Sequence, residues 1–277
     1  MINALSVDVE DYFHVSAFEH NVNRSDWDRY PLRVEKNTEV LLDLFDSHQV
    51  RASFFVLGWV AERVPGLVKR IQGRGHEIAC HGFGHERLDV IGPHRFREDL
   101  RRAKHVLEDQ CGAPVLGYRA PSFSITPKSV WAVDILIEEG FVYDSSIFPI
   151  HHDVYGMPGA DPGIHSIRRE AGILREFPPT TVPLLGGKVR LPAAGGGYLR
   201  LFPLWVTRLA IDRVNEGGRP AVLYMHPWEF DPEQPRIKAR MKSRFRHYCN
   251  LRTTIHKMRS LLGSYAFAPL RQVLGLS

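Results

Sequence analysis

Through its first 150 residues the chain alternates short apolar runs with longer amphipathic ones, a pattern that commits it to βαβ units and a largely parallel sheet. Ala4 to Val9, Ala52 to Leu57, His76 to Cys80, Val115 to Tyr118 and Phe141 to Tyr143 read as strands. Glu35 to Ser47, with Val40, Leu41, Leu44 and Phe45 on one face, reads as a helix. So do Val60 to Gln72, Pro93 to Gln110 and Ser129 to Glu139. Residues 151–200 are rich in Gly and Pro and predict loops and short strands over a barrel mouth, with Gly195-Gly196-Gly197 marking a turn or a close backbone approach. Pro203 to Asn215 returns to helix, and Pro220 to His226 forms the last core strand.

Composition narrows the class. A chain of 277 residues, 44% hydrophobic and 24% charged, has ample material for a core. It holds no apolar run of 18 residues, which predicts no membrane span. The N-terminus lacks a basic start and a long apolar stretch, so no signal peptide is expected and the cytoplasm is the expected location. Cys80, Cys111 and Cys249 are odd in number and far apart, against a disulfide framework or a cysteine metal site. Cys80, beside His81, reads as a small buried residue at a strand end. Net charge is +5, unevenly spread: residues 236–277 hold ten Lys or Arg and no Asp or Glu, and the remainder holds 26 basic and 31 acidic residues. Such a tail suits a polyanion, a membrane surface or another partner. Leu251, Ile255, Met258, Leu261 and Leu262 recur at helical spacing, which also fits a packed helix with a solvated outer face. No nucleic-acid motif accompanies the tail, and none is expected as a partner.

Chemistry-bearing residues stand where the apolar runs end, the position at which α/β barrels collect their chemistry. Asp8, Glu10 and Asp11 crowd three carboxylates at the end of the first strand, an arrangement that calls for a dication or an arginine. His81 and His85 follow the third strand; four residues apart, they can face one point on a helical turn. Two histidines and a carboxylate suit Zn²⁺, Co²⁺, Fe²⁺, Mn²⁺ or Ni²⁺. Arg119 precedes Ala120-Pro121; the proline biases Ala120 to an extended backbone, and the guanidinium fork suits a carboxylate. Asp144 ends another strand and fits either an imidazole-orienting carboxylate or a helix cap or turn. His226, followed by Pro227 and Trp228, reads as the lip of a pocket.

In order and rough spacing, the acidic strand end, His-x-x-x-His, Arg-x-Pro, the Asp after the next strand and Leu-x-x-His resemble the polysaccharide deacetylase family, carbohydrate esterase family 4, over about residues 1–230. Ser6 to Phe13, Tyr143 to Pro149 and Gly196 to Arg200 look like the branch encoded with bacterial exopolysaccharide and exosortase loci. The resemblance implies an α/β fold, a distorted (β/α)7-type barrel over residues 1–232. It also implies a basic, partly helical extension over 233–277, packed on or beside the barrel. It implies a divalent metal, with Zn²⁺ favoured, held by His81, His85 and either Glu10 or Asp11. The usual family motif has two adjacent aspartates where this chain has Asp-Val-Glu-Asp. Asp8 matches the general base. Strand alternation puts Glu10 on the face of Asp8, whereas Asp11 is the more usual residue type.

By the same resemblance His226 is the general acid, Arg119 orients Asp8, and Asp144 favours the cationic form of His226. The implied reaction removes N-acetyl groups from an acetylated bacterial glycan. Hydrolysis of a small amide, such as a ureide or cyclic imide, is the alternative: an open groove favours the polymer and a closed pocket the small amide.

Overall fold

The computed structural model describes residues 1–152, 155–184, 189–193 and 195–276. Its centre is one curled sheet in the order β10-β1-β2-β3-β4-β5-β7-β6. The strands are β1 (Ile2–Val9), β2 (Ser53–Val56), β3 (Glu77–Cys80), β4 (Gly117–Tyr118), β5 (Tyr143–Asp144), β6 (His165–Arg169), β7 (Gly172–Glu176) and β10 (Val222–Met225). Every neighbouring pair is parallel except β6 with β7, so seven strands run one way. This is the distorted (β/α)7-type barrel, open between β10 and β6 among the described residues. All residues of β2 and β10 are buried, and all of β1 except Ile2, as expected for strands covered on both faces.

Helices α1 (Val34–Ser47), α2 (Gly58–Arg63), α3 (Leu67–Gly73), α4 (Leu88–Cys111), α5 (Ala132–Glu138), α6 (Gly197–Leu201) and α7 (Leu204–Glu216) surround this sheet. α1 buries Leu41, Leu44 and Phe45, the face its sequence periodicity marks. Two expected helices differ. Val60 to Gln72 divides into α2 and α3 at Pro65-Gly66, where Gly66 has φ 84° and proline removes a helix donor. The helix expected from Pro93 begins earlier, at Leu88, with Gly92 at φ 74° marking a kink before the proline.

The Gly- and Pro-rich region is partly core. β6 and β7 form a hairpin, and β7 joins the sheet beside β5, burying Leu174 and Glu176. β8 (Thr181–Leu184) pairs with β9 (Val189–Pro192) as a separate ribbon. The glycine run makes the close approach its composition predicts: Gly195 bridges Tyr224, and a Cβ there would lie 1.9 Å from the Tyr224 carbonyl oxygen. The C-terminal extension carries α8 (Met241–Tyr248), α9 (Leu251–Leu262), β11 (Ala266–Ala268) and α10 (Leu270–Val273). α9 buries Leu251, Met258, Leu261 and Leu262, and β11 pairs with the start of β1.

Gly195→Ala should lower stability by ~2–4 kcal/mol, the sum of a strained positive φ and an overpacked contact. Denaturant unfolding checks this; an unchanged midpoint would show that the strand-to-glycine approach is not tight.

Candidate active site

β1 and β3 flank β2 in the sheet, and the loops beyond them bring the carboxylates to the histidines. Asp8, Glu10 and Asp11 are all buried, and each meets a different compensation. Asp8 Oδ1 accepts from Arg119 Nη1 at 2.6 Å. Glu10 Oε2 lies 2.7 Å from His85 Nε2, while Glu10 Oε1 accepts from Trp228 Nε1 at 3.1 Å. Asp11 turns away: its oxygens accept from the backbone N–H groups of Tyr12 (2.9 Å), Arg33 (2.6 Å) and Val34 (2.8 Å). It therefore caps the start of α1, where unpaired N–H groups and the helix dipole favour a negative charge. Burial nevertheless pushes its carboxyl up to about 6.

His81 and His85 meet with ring centroids 5.4 Å apart, on a loop and not on a helical turn. Gly82 (φ 73°) and His85 (φ 49°) are both left-handed, and Asp99 accepts from the N–H groups of Phe83 (2.7 Å) and Gly84 (2.9 Å). Those turns break the helical path and aim both rings at Glu10. His81 Nδ1 donates to the Arg119 carbonyl at 2.8 Å, which leaves Nε2 as its free ligand atom. Potential ligand atoms of Glu10, His81 and His85 all lie within 4.8 Å of one another. Glu10 Oε2 is buried, and its one close polar neighbour among the described residues is His85 Nε2. An acceptor and two imidazoles converging in this way fit a divalent cation. Burial alone would raise the Glu10 pKa, but His85, His226 and His81 outweigh it and hold the carboxyl well below the usual range.

His226 follows β10 and faces the same point: its Nε2 lies 3.6 Å from Glu10 and 3.9 Å from Asp8. Burial lowers its pKa, but the charges of Glu10, Glu229 and Asp8 prevail and push it up to about 9. No ion pair joins Asp144 to His226, contrary to the sequence expectation. Glu229 stands there instead, with Oε2 3.6 Å from His226 Nδ1 and Oε1 accepting from Arg200 Nε at 3.0 Å. Asp144 accepts from Ser146 Oγ and faces Glu176, its register partner on β7; burial raises the pKa of both carboxyls. Ser146 Oγ in turn accepts from the Ala120 N–H at 2.8 Å, so Asp144 supports the Arg119 loop from behind.

Sequence reasoning missed Glu229 and Arg200. A signal for Glu229 was present: in His226-Pro227-Trp228-Glu229 a proline follows the cap position and a glutamate stands third, and Glu229 Oε2 does accept from the His226 N–H at 3.2 Å. Arg200 gave no such signal, because its partners depend on where α6 meets the extension.

These groups line a cavity of 230 Å³ with Phe123, Tyr155, Tyr224 and Trp228. A neighbouring cavity of 420 Å³ shares Val15, Ser16 and His85 with it. Phe123 and Trp228 line the first cavity, and Phe13 lines its neighbour.

Comparison with known proteins agrees with this arrangement. Residues 25–136 match the polysaccharide deacetylase family, and residues 145–275 match a domain of unknown function, DUF3473. A peptidoglycan-N-acetylglucosamine deacetylase of Bacillus cereus is 32% identical over 98 residues, 35% of this chain and 36% of that protein. A chitooligosaccharide deacetylase of a Bradyrhizobium strain is 26% identical over 148 residues, 53% of this chain and 63% of that protein. The matched part thus spans between about a third and two thirds of those relatives. A crystal structure assigned to polysaccharide deacetylases, from Mycobacterium smegmatis, superposes with a TM-score of 0.66 at 22% identity, over 98% of this chain and 88% of that one. The chain is thus similar to polysaccharide deacetylases over residues 25–136, and its fold is that of the Mycobacterium smegmatis structure.

Two substitutions separate the neighbouring acids. Glu10→Gln should weaken Co²⁺ or Zn²⁺ binding, measured by chelator competition, by more than the ~10–100-fold typical of an outer-shell loss. Asp11→Asn should leave metal affinity within a few-fold but lower unfolding stability by ~1–3 kcal/mol, because three N–H donors, two of them buried, lose their charged acceptor. The reverse pattern would make Asp11 the ligand.

Proposed function

We propose that the chain is a metal-dependent hydrolase that removes N-acetyl groups from an acetylated bacterial glycan. The observation that carries this reading is the convergence of Glu10, His81 and His85 with Asp8 on one side and a cationic His226 on the other. Glu10, His81 and His85 would hold the cation, Zn²⁺ first by donor type, with Co²⁺, Mn²⁺, Fe²⁺ and Ni²⁺ also suited. When bound, it supplies Lewis-acid polarisation of the acetyl carbonyl and a lowered water pKa.

The protein's own groups do the proton work. Asp8, oriented by the Arg119 guanidinium 2.6 Å away, accepts the proton of the attacking water. His226 carries a proton at neutral pH and gives it to the departing amine. Glu229 stays ionised because burial is outweighed by Arg200 and His226, and it holds His226 in the protonated form. Similarity to proteins named for peptidoglycan and chitooligosaccharide supports an N-acetylated sugar polymer as substrate. Two cavities sharing a wall at Val15, Ser16 and His85 favour an extended glycan over a small cyclic amide. The exopolysaccharide locus remains part of this proposal on the strength of the Ser6–Phe13 and Tyr143–Pro149 motifs.

Protein stripped of metal should release no acetate from N-acetylglucosamine oligomers, and reloading with Zn²⁺ or Co²⁺ should restore release. Asp8→Asn and His226→Ala should each lower kcat by ~10²–10⁴-fold with metal affinity retained. Acetate release that persists in folded, metal-free protein would overturn the reading, as would full activity in either variant.

A further inference from the structure

The outer surface of α8 and of the α6–α7 corner carries groups that the pocket chemistry does not use. From Arg236 to Arg246 every second residue is a cation: Arg236, Lys238, Arg240, Lys242, Arg244 and Arg246. All six are exposed, and none forms an ion pair with a described residue. Several cations elsewhere are compensated: Arg70 of α3 pairs with Glu35 and Glu39, and Arg97 of α4 pairs with Glu138 and Glu139. Since residues 236–277 contain no Asp or Glu, the extension has no internal means of balancing this charge. Like charges at this density repel one another and attract an anionic surface.

Large exposed apolar side chains stand on α8, among these cations, and on α6 and α7. Met241 and Phe245, four residues apart on α8, are 86% and 65% exposed. Trp205 and Leu209, four apart on α7, are 65% and 48% exposed, and Leu201 at the end of α6 is also exposed. No other Phe or Trp among the described residues is exposed. α6 and α8 adjoin, because Arg200 Nη1 donates to the carbonyls of Arg246 (3.0 Å), His247 (2.8 Å) and Cys249 (3.1 Å). Leu201 thus follows an arginine locked to the residue after Phe245.

We propose that this face docks on an anionic lipid bilayer. A soluble polyanion would pair with the cations but offer nothing to Phe245, Met241 and Trp205. A bilayer takes both: aromatic and aliphatic side chains enter the interfacial layer while Lys and Arg remain at the headgroups. The contact is peripheral, since no helix among the described residues is long and apolar enough to cross a membrane. Gly197, Arg200, Arg246 and His247 also line the catalytic cavity, so docking holds the pocket mouth beside the membrane surface. Access to glycans carried on lipid is the consequence, and that consequence alone rests on the deacetylase reading.

The test is co-sedimentation of the full chain with phosphatidylcholine vesicles, with and without 30% phosphatidylglycerol, and needs no substrate. Binding should require the anionic lipid and weaken in 0.5 M salt. Lys238→Glu, Lys242→Glu and Arg244→Glu together should lower the partition coefficient on the order of 100-fold. The same charge change made by Lys36→Glu on α1, Lys69→Glu on α3 and Lys128→Glu in the turn before α5 should lower it by less than threefold. Phe245→Ser with Trp205→Ser should weaken binding at least fivefold at constant charge; circular dichroism confirms that each variant folds. No sedimentation with anionic vesicles at low salt overturns the proposal. Equal loss in both charge-reversed triples overturns it too, as does a serine pair that binds normally, which would mark the face as a site for soluble polyanions.

Discussion

The buried guanidinium of Arg119 is the contact on which the site depends. It stands at the end of β4 with no exposed surface and meets three other segments of the sheet. Nη1 donates to Asp8 and to Ser6 Oγ at 2.8 Å; Nε and Nη2 donate to the carbonyl and hydroxyl of Ser145 at 3.1 and 2.9 Å. Its cationic carbon lies 4.2 Å from the centroid of the Phe55 ring. The same residue's carbonyl accepts from His81 Nδ1. One residue therefore aims Asp8 with its side chain and the His81 imidazole with its backbone. Deleting one partner of such a pair costs ~3–5 kcal/mol because the other charge stays buried and unpaired. The strand ends are thus held in register by the interaction that sets their chemistry.

Three acids within four residues would repel one another in a buried strand end if they shared one environment. The fold prevents this by direction. Asp8 and Glu10 project to the pocket side, where an arginine and imidazoles await them; Asp11 projects backward onto the first N–H groups of α1. His14, three residues on, accepts the Asp11 N–H at 2.9 Å and fixes this turn. The short loop after β1 therefore builds the pocket and anchors a barrel helix together.

Much of this was legible in the sequence because it depends on local patterns. Apolar runs bounded by turn residues gave the strands, and Pro121 gave the extended Ala120, which has φ −70° and ψ 134°. What was not legible depends on contacts distant in sequence. The partner of His226 was expected at the end of β5, since a carboxylate at a neighbouring strand end is a reasonable candidate; parallel register instead pairs Asp144 with Glu176. The helical turn expected between His81 and His85 fails because Asp99, on α4, collects the N–H groups that a helix would have used. β7 was hidden in a Gly- and Pro-rich stretch and takes its place in the sheet because β5 presents an open edge.

The two sides of the pocket have different foundations. The Asp8 side rests on β1, β3 and β4, with β2 between the first two in the same parallel sheet. The acid side rests on a relay: α8 ends in carbonyls that hold Arg200, Arg200 holds Glu229, and Glu229 lies against His226. Carbonyls at a helix C-terminus carry partial negative charge and suit a buried guanidinium. Arg200 is as deeply buried as Arg119, so its charge must be matched by Glu229 and by those carbonyls together. The extension is therefore a structural part of the acid side. A change in how α8 is held would reach His226 through two buried charges, whereas the Arg119–Asp8 pair would not be disturbed.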